Sequence, residues 1–202
     1  MKDRPSGAEG HLDGGMSSGG TDLLTLEPLL EAVRDGVEHA GWTLSGLQKT
    51  TSHEFAGAWE GESTRSAYAF FHRDDLPETV GVEAYLDETS QGLRGNLALV
   101  LEGPALDRIG SVRGVLERVD RAASETFPTG YRTPVSVRVG TAGCRRPLGE
   151  AGVHVRVKLT IPGSAMEAGA SAVSALASET VVAFEALLER PEVAELLPPV
   201  IE

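Results

Sequence analysis

The stretch from Val153 to Ile161 reads Val-His-Val-Arg-Val-Lys-Leu-Thr-Ile, with every second residue apolar and every residue between polar or basic. Strand side chains alternate between two faces, whereas helix side chains recur about every 3.6 residues, so this period of two specifies a half-buried strand. Val135, Val137 and Val139 repeat the pattern around Arg138, and the segment between the two runs is rich in glycine. The spacing predicts a hairpin whose valines, Leu159 and Ile161 face a core while Arg138, His154, Arg156 and Lys158 face water.

Charge is segregated in the same place. Residues 132–163 carry six bases and one acid, net +5, in a chain of net charge -12, so the remainder carries -17. A field of that sign repels polyphosphates and anionic membranes at long range and favours solubility and basic partners. The hairpin face is a local exception, and Arg145 and Arg146 extend it at the tip. Three readings of this cationic strip stay open. Its bases pair across the sheet with carboxylates such as Glu83 and Asp87; or an acidic helix or a second copy covers it; or it binds an acidic protein, a phosphate ligand or nucleic acid. Nucleic acid is disfavoured, because no aromatic residues interleave with the bases for stacking and the surrounding charge has the wrong sign.

The rest of the chain supplies the layers around that hairpin. At 202 residues it is long enough for one well-buried core. The glycine-rich, charged segment 1–22 reads as a disordered tail, 23–190 as a single domain, and 191–202 as a short C-terminal helix and tail. Met16, followed by two serines and two glycines, is an alternative translation start that the intact mass of the native protein distinguishes from Met1. Leu26, Leu30, Val33, Val37 and Ala40 form one helical stripe, with Thr25 as its cap and Gly41 as its stop. Aromatic and β-branched runs then predict strands at 42–50, 53–60, 64–72, 80–87 and 96–102, joined by links short enough for antiparallel hairpins. Trp42, Trp59, Tyr68, Phe70 and Phe71 read as core fillers. A second helix follows on Ile109, Val112, Leu116, Val119 and Ala123, with Gly110 and Gly114 marking a tight contact. A third, opened by Ser164 and Glu167 at capping-box spacing, carries Met166, Ala170, Val173, Ala177, Val181, Phe184 and Leu188 on one stripe. Its small residues from Ala168 to Ser178 admit a close neighbour, here expected to be the sheet.

Chemistry-bearing motifs are sparse. Cys144 is the one cysteine, so an intrachain disulfide is excluded, and a thiol at a loop tip beside two arginines lacks the base and oxyanion pocket that nucleophilic catalysis needs. His72-Arg73-Asp74-Asp75, with His53 and Glu54 one strand away, is the densest set of metal-ligand types, but Asp-Asp-Leu-Pro is also a turn sequence and the spacing matches no metal motif. Phosphate-loop, dinucleotide and nucleophile-elbow patterns find no suitable context.

These readings converge on an α+β fold: a single antiparallel sheet of about seven strands with three helices, ordered α-βββββ-α-ββ-α, the first helix lying at an edge or end. In element order this resembles the small acidic chaperones of type III secretion and the YbjN-like proteins. The expected function is that of a non-enzymatic, cytoplasmic binding protein that uses no cofactor or metal. It contacts a protein partner, or a second copy as a homodimer, through Arg138, Arg145, Arg146, His154, Arg156 and Lys158. The alternative is a small-ligand binder or enzyme with a pocket between the sheet and the C-terminal helix, using His53, His72, Asp74 or Arg156.

Overall fold

The computed structural model describes residues 24–52, 64–89, 92–102, 111–128, 135–138 and 154–197. Along them run α1 (Leu26–His39), β1 (Thr43–Ser52), β2 (Thr64–His72), β3 (Val80–Thr89), β4 (Gly92–Glu102), α2 (Val112–Thr126), β5 (Ser136–Arg138), β6 (His154–Ile161), α3 (Gly163–Ala168), α4 (Ala170–Leu188) and α5 (Pro191–Ala194). The class is α+β with one antiparallel sheet. Its six described strands lie in the order β1-β2-β3-β4-β6-β5, so the chain runs a four-strand meander and then adds the last hairpin through its second strand. The expected strand at 53–60 lies outside the described residues, and β1 pairs directly with β2, from Thr43 opposite His72 to Ser52 opposite Thr64. β4 begins four residues earlier than expected, at Gly92, whose φ of 111° is a conformation that glycine adopts readily.

Among the described residues there are five helices, against the three of the expected element order. Gly169, at φ 100°, interrupts the long C-terminal helix and separates α3 from α4, and Ala170 is consequently exposed rather than part of the buried stripe. The capping box at Ser164 and Glu167 is not formed, since Pro162 is the N-cap of α3 and no side chain caps it. Thr25 likewise caps α1 by position without a side-chain bond. In α2 the cap is Ser111, whose Oγ accepts from the Gly114 amide at 3.1 Å, and the buried stripe is Val115, Val119, Ala122 and Ala123, with Leu116 only half-buried.

The sheet is covered by helices on one face. Ala67, Ala69 and Phe71 of β2, Val82, Ala84 and Leu86 of β3, Leu97, Leu99 and Leu101 of β4 and Val155, Val157, Leu159 and Ile161 of β6 share one core cluster with α1, α2, α4 and α5. Phe127 and Phe184 meet edge-on at 5.9 Å within it. The first helix is not at an edge: α1 lies across β1, β2 and β3 and packs along α4. Gly36 is what admits that packing. A Cβ there would stand 2.2 Å from the Ser174 carbonyl oxygen and 2.8 Å from Ala177 Cβ. The small-residue run of the C-terminal helix thus serves a helix-helix contact and not the sheet contact its sequence suggested.

By length and composition α4 could cross a membrane. Its apolarity is accounted for by core packing, since Val173, Ala177, Val181, Phe184 and Leu187 are essentially fully buried. Substituting Gly36 by alanine should gain up to about 1 kcal/mol of helix propensity but lose about 1–3 kcal/mol to overpacking against backbone. The expected outcome for Gly36→Ala is net destabilisation, read as a lower denaturant midpoint with an unchanged slope.

Candidate functional site

The open face of the sheet, which no helix among the described residues covers, is laid out in rows by the strand registers. One row runs Gln48, Tyr68, Tyr85, Asn96, Thr160; the next Gly46, Phe70, Glu83, Ala98, Lys158; a third Gly81, Val100, Arg156, Ser136. Large aromatic groups stand on β2 and β3, long cationic ones on β6, and small residues between them on β4. That size gradient hollows the face. The result is a depression of about 530 Å³ lined by Tyr68, Phe70, Glu83, Tyr85, Arg156 and Lys158, with Ala98 among the central residues. Ala98 and Val100 are each only 4% exposed although they point away from the helices, because taller neighbours flank them, and neither belongs to the main core cluster.

Tyr68 and Phe70 correct the sequence reading, which placed them in the core. They are 37% and 36% exposed and share the open face, whereas Phe71 and Trp42 are buried. The extra residue of a bulge between Leu44 and Gly46 adjusts the pairing beside them, and Ser45 Oγ donates to the Phe70 carbonyl at 3.0 Å. Tyr68 and Tyr85 face each other across strands with ring centroids 4.7 Å apart and tilted by 43°.

Opposite the aromatic wall, Arg156 forms an ion pair with Glu83 across the intervening strand β4, Nη2 to Oε2 at 2.5 Å. Both side chains are largely covered, at 24% and 20% exposure, and Arg156 Nε is buried without a hydrogen-bond partner. His154 Nδ1 lies 3.5 Å from Glu102. Asp87, the other expected carboxylate partner, instead accepts from Ser66 Oγ at 3.0 Å. Lys158 is exposed and its ammonium group has no ion pair or hydrogen bond among the described residues. Of the six residues singled out in sequence, His154, Arg156 and Lys158 are therefore brought to one face, β5 sets Arg138 opposite His154, and Arg145 and Arg146 lie outside the described residues.

The His72-Arg73-Asp74-Asp75 cluster resolves into a structural turn. Arg73 holds Asp75 through Nε to Oδ1 at 2.5 Å and Nη2 to Oδ2 at 2.6 Å, and its Nη1 bonds Glu185 of α4. Trp42 Nε1 donates to the same Glu185 oxygen at 3.0 Å. One carboxylate thus ties the entry to β1, the β2–β3 turn and α4 together. His72 Nε2 lies 3.3 Å from the exposed Asp74. Among the described residues no group of three or more His, Cys, Asp or Glu converges as a metal site; His53 and Glu54 lie outside them. Beneath α4 the described residues are packed, Val173, Ala177, Val181 and Phe184 sharing one core cluster with Leu99 and Val157, while between the paired ends of β3 and β4 and α3 a hollow of about 430 Å³ remains, lined by Glu88, Thr89, Leu93, Met166 and Glu167 and by none of His72, Asp74 and Arg156. The concavity that holds Arg156 lies on the opposite side of the sheet.

No known family, curated protein or solved structure matches this chain.

Replacing Glu185 by alanine leaves the Trp42 indole N–H and one arm of Arg73 without partners. It should cost about 1–3 kcal/mol, with altered Trp42 emission, measured by denaturant unfolding followed by fluorescence. The hydrogen bond from Arg73 holds the Asp75 carboxyl below its ordinary pKa. A depressed folded value contributes stability above the unfolded carboxyl pKa of about 3.9 and loses it as pH falls through the folded one. Asp75→Asn should therefore be less stable than the native protein at pH 7, with the difference closing as the pH falls below about 3.9.

Proposed function

We propose that this protein is an acidic, cytoplasmic, non-enzymatic binding module, of adaptor or chaperone-like type, that engages a protein partner through the open face of its sheet. The observation that carries this reading is the depression between the Tyr68, Phe70 and Tyr85 wall and the Arg156 and Lys158 rim. Exposed aromatic anchors beside a polar and cationic rim are the composition of protein-recognition surfaces, where tyrosine and arginine supply most of the affinity. Single aromatics at a surface are ordinary, but three of them converging on one hollow are an arrangement that water alone does not reward. The cationic rim in a chain of net charge -12 adds orientation, because an acidic partner is repelled everywhere else and steered here.

Photo-crosslinking tests this directly. A benzophenone amino acid placed at Gln48, on the margin of the open face, should give a discrete adduct with a protein from the native host. The same group at Arg113, on the solvent side of α2, should give none. An adduct of twice the chain mass identifies the partner as a second copy. Equal yields from both positions, or adducts from neither, overturn the proposal.

A further inference from the structure

Glu83 occupies the guanidinium that an incoming anion would seek. It reaches across Ala98 and Val100 to Arg156, while Lys158, two residues along β6 on the same face, holds no counter-ion among the described residues. The three charged residues of the depression thus sum to one positive charge. The buried Arg156 Nε, with no acceptor of its own, marks hydrogen-bonding capacity that Glu83 leaves unused. On the far side Tyr68 and Phe70 present apolar ring surface.

Resting on the protein-binding reading above, we infer that the depression recognises an extended acidic segment of a partner protein, with an aromatic side chain on Tyr68 and Phe70 and a carboxylate on Lys158 and Arg156. Glu83 acts as a built-in competitor for that carboxylate. The geometry sets the spacing. From β2 to β6 there are three inter-strand steps in the order β2-β3-β4-β6, about 14 Å at ~4.8 Å each. An extended peptide advances ~3.4 Å per residue, so side chains four residues apart span the same distance and point to the same side. The ring and the acid are therefore separated by three residues and both face the sheet. Charge complementarity selects an acidic segment over a basic one, and the aromatic wall selects a segment with a ring over a purely acidic run.

The test uses the full chain and two fluorescein-labelled peptides of identical composition, Gly-Phe-Ala-Ser-Ala-Glu-Gly and Gly-Ala-Ser-Ala-Phe-Glu-Gly, followed by fluorescence anisotropy. The first should bind at least about fivefold tighter than the second, because only it reaches both walls. Lys158→Glu should weaken it about tenfold or more, and Lys158→Ala less, with thermal melts confirming the fold. Tyr68→Ala should weaken it about fivefold. Glu83→Gln should tighten it about threefold or more by releasing Arg156, and Glu83→Ala should act in the same direction.

Absence of binding, equal affinity for both peptides, indifference to Lys158→Glu, or unchanged or weaker binding by both Glu83 variants would each overturn the inference. Failure here together with a protein adduct from Gln48 leaves the open face as a binding surface and removes only the acidic-aromatic specificity. Loss of both removes the functional reading itself.

Discussion

Close seating of α1 against α4 is the contact on which the rest of this architecture depends. Two helices laid side by side over a sheet must each bury an apolar stripe, and the span they cover is limited by their separation. At Gly36 the two backbones approach to where any side chain would strike the Ser174 carbonyl oxygen. That narrow spacing lets α1 cover β1 to β3 while α4 covers β4 and β6 within one layer. With the described helices gathered on one side, the other face of the sheet has no helical cover from the described residues.

An open sheet face in water is ordinarily polar, and this one is not uniformly so. β4 is apolar on both sides: Leu97, Leu99 and Leu101 point to the helices and Ala98 and Val100 away from them. Such a central strand needs cover on its outer side too. It receives it from taller side chains of the flanking strands, notably the Glu83–Arg156 pair that crosses above it. The ion pair and the hollow are thus one device, in which small residues at the centre make room and long residues at the flanks close over it. A half-covered pair of this kind contributes little net stability by itself, since desolvation offsets much of the Coulombic attraction. Its effect on ligand choice is larger, because any anion entering the hollow meets an arginine already engaged.

The charge pattern has the same dual character. Segregation of base onto the last hairpin is legible at a glance, yet within the fold the hairpin's charge is partly answered by carboxylates on strands distant in sequence. Glu83 takes Arg156 and Glu102 lies against His154. Lys158 remains. Arg73, outside the basic segment, is absorbed by Asp75 and Glu185 into the staple that fixes the β2–β3 turn to α4.

By itself the sequence determined the α+β class, the antiparallel pairing, the buried stripes of α1 and of α4 from Val173 onward, and the division of β6 into an apolar and a basic face. Each of these follows from local periodicity, which depends on backbone geometry alone. The inward and outward sets of β6 are unambiguous because one is wholly apolar and the other wholly polar. β2 carries Ala67, Ala69 and Phe71 on one side and Tyr68 and Phe70 on the other, and two apolar sets leave the facing undecided until register with β1 and β3 assigns it. Only the tertiary structure decided that Phe71 enters the core and Tyr68 and Phe70 form a wall. It likewise decided that Glu83 meets Arg156 while Asp87 accepts from Ser66, that Gly36 adjoins α4, and that the hollow holding Arg156 lies on the face of the sheet away from α4. All of these depend on which residues of distant segments come to lie opposite one another, and no pattern within a single segment encodes that.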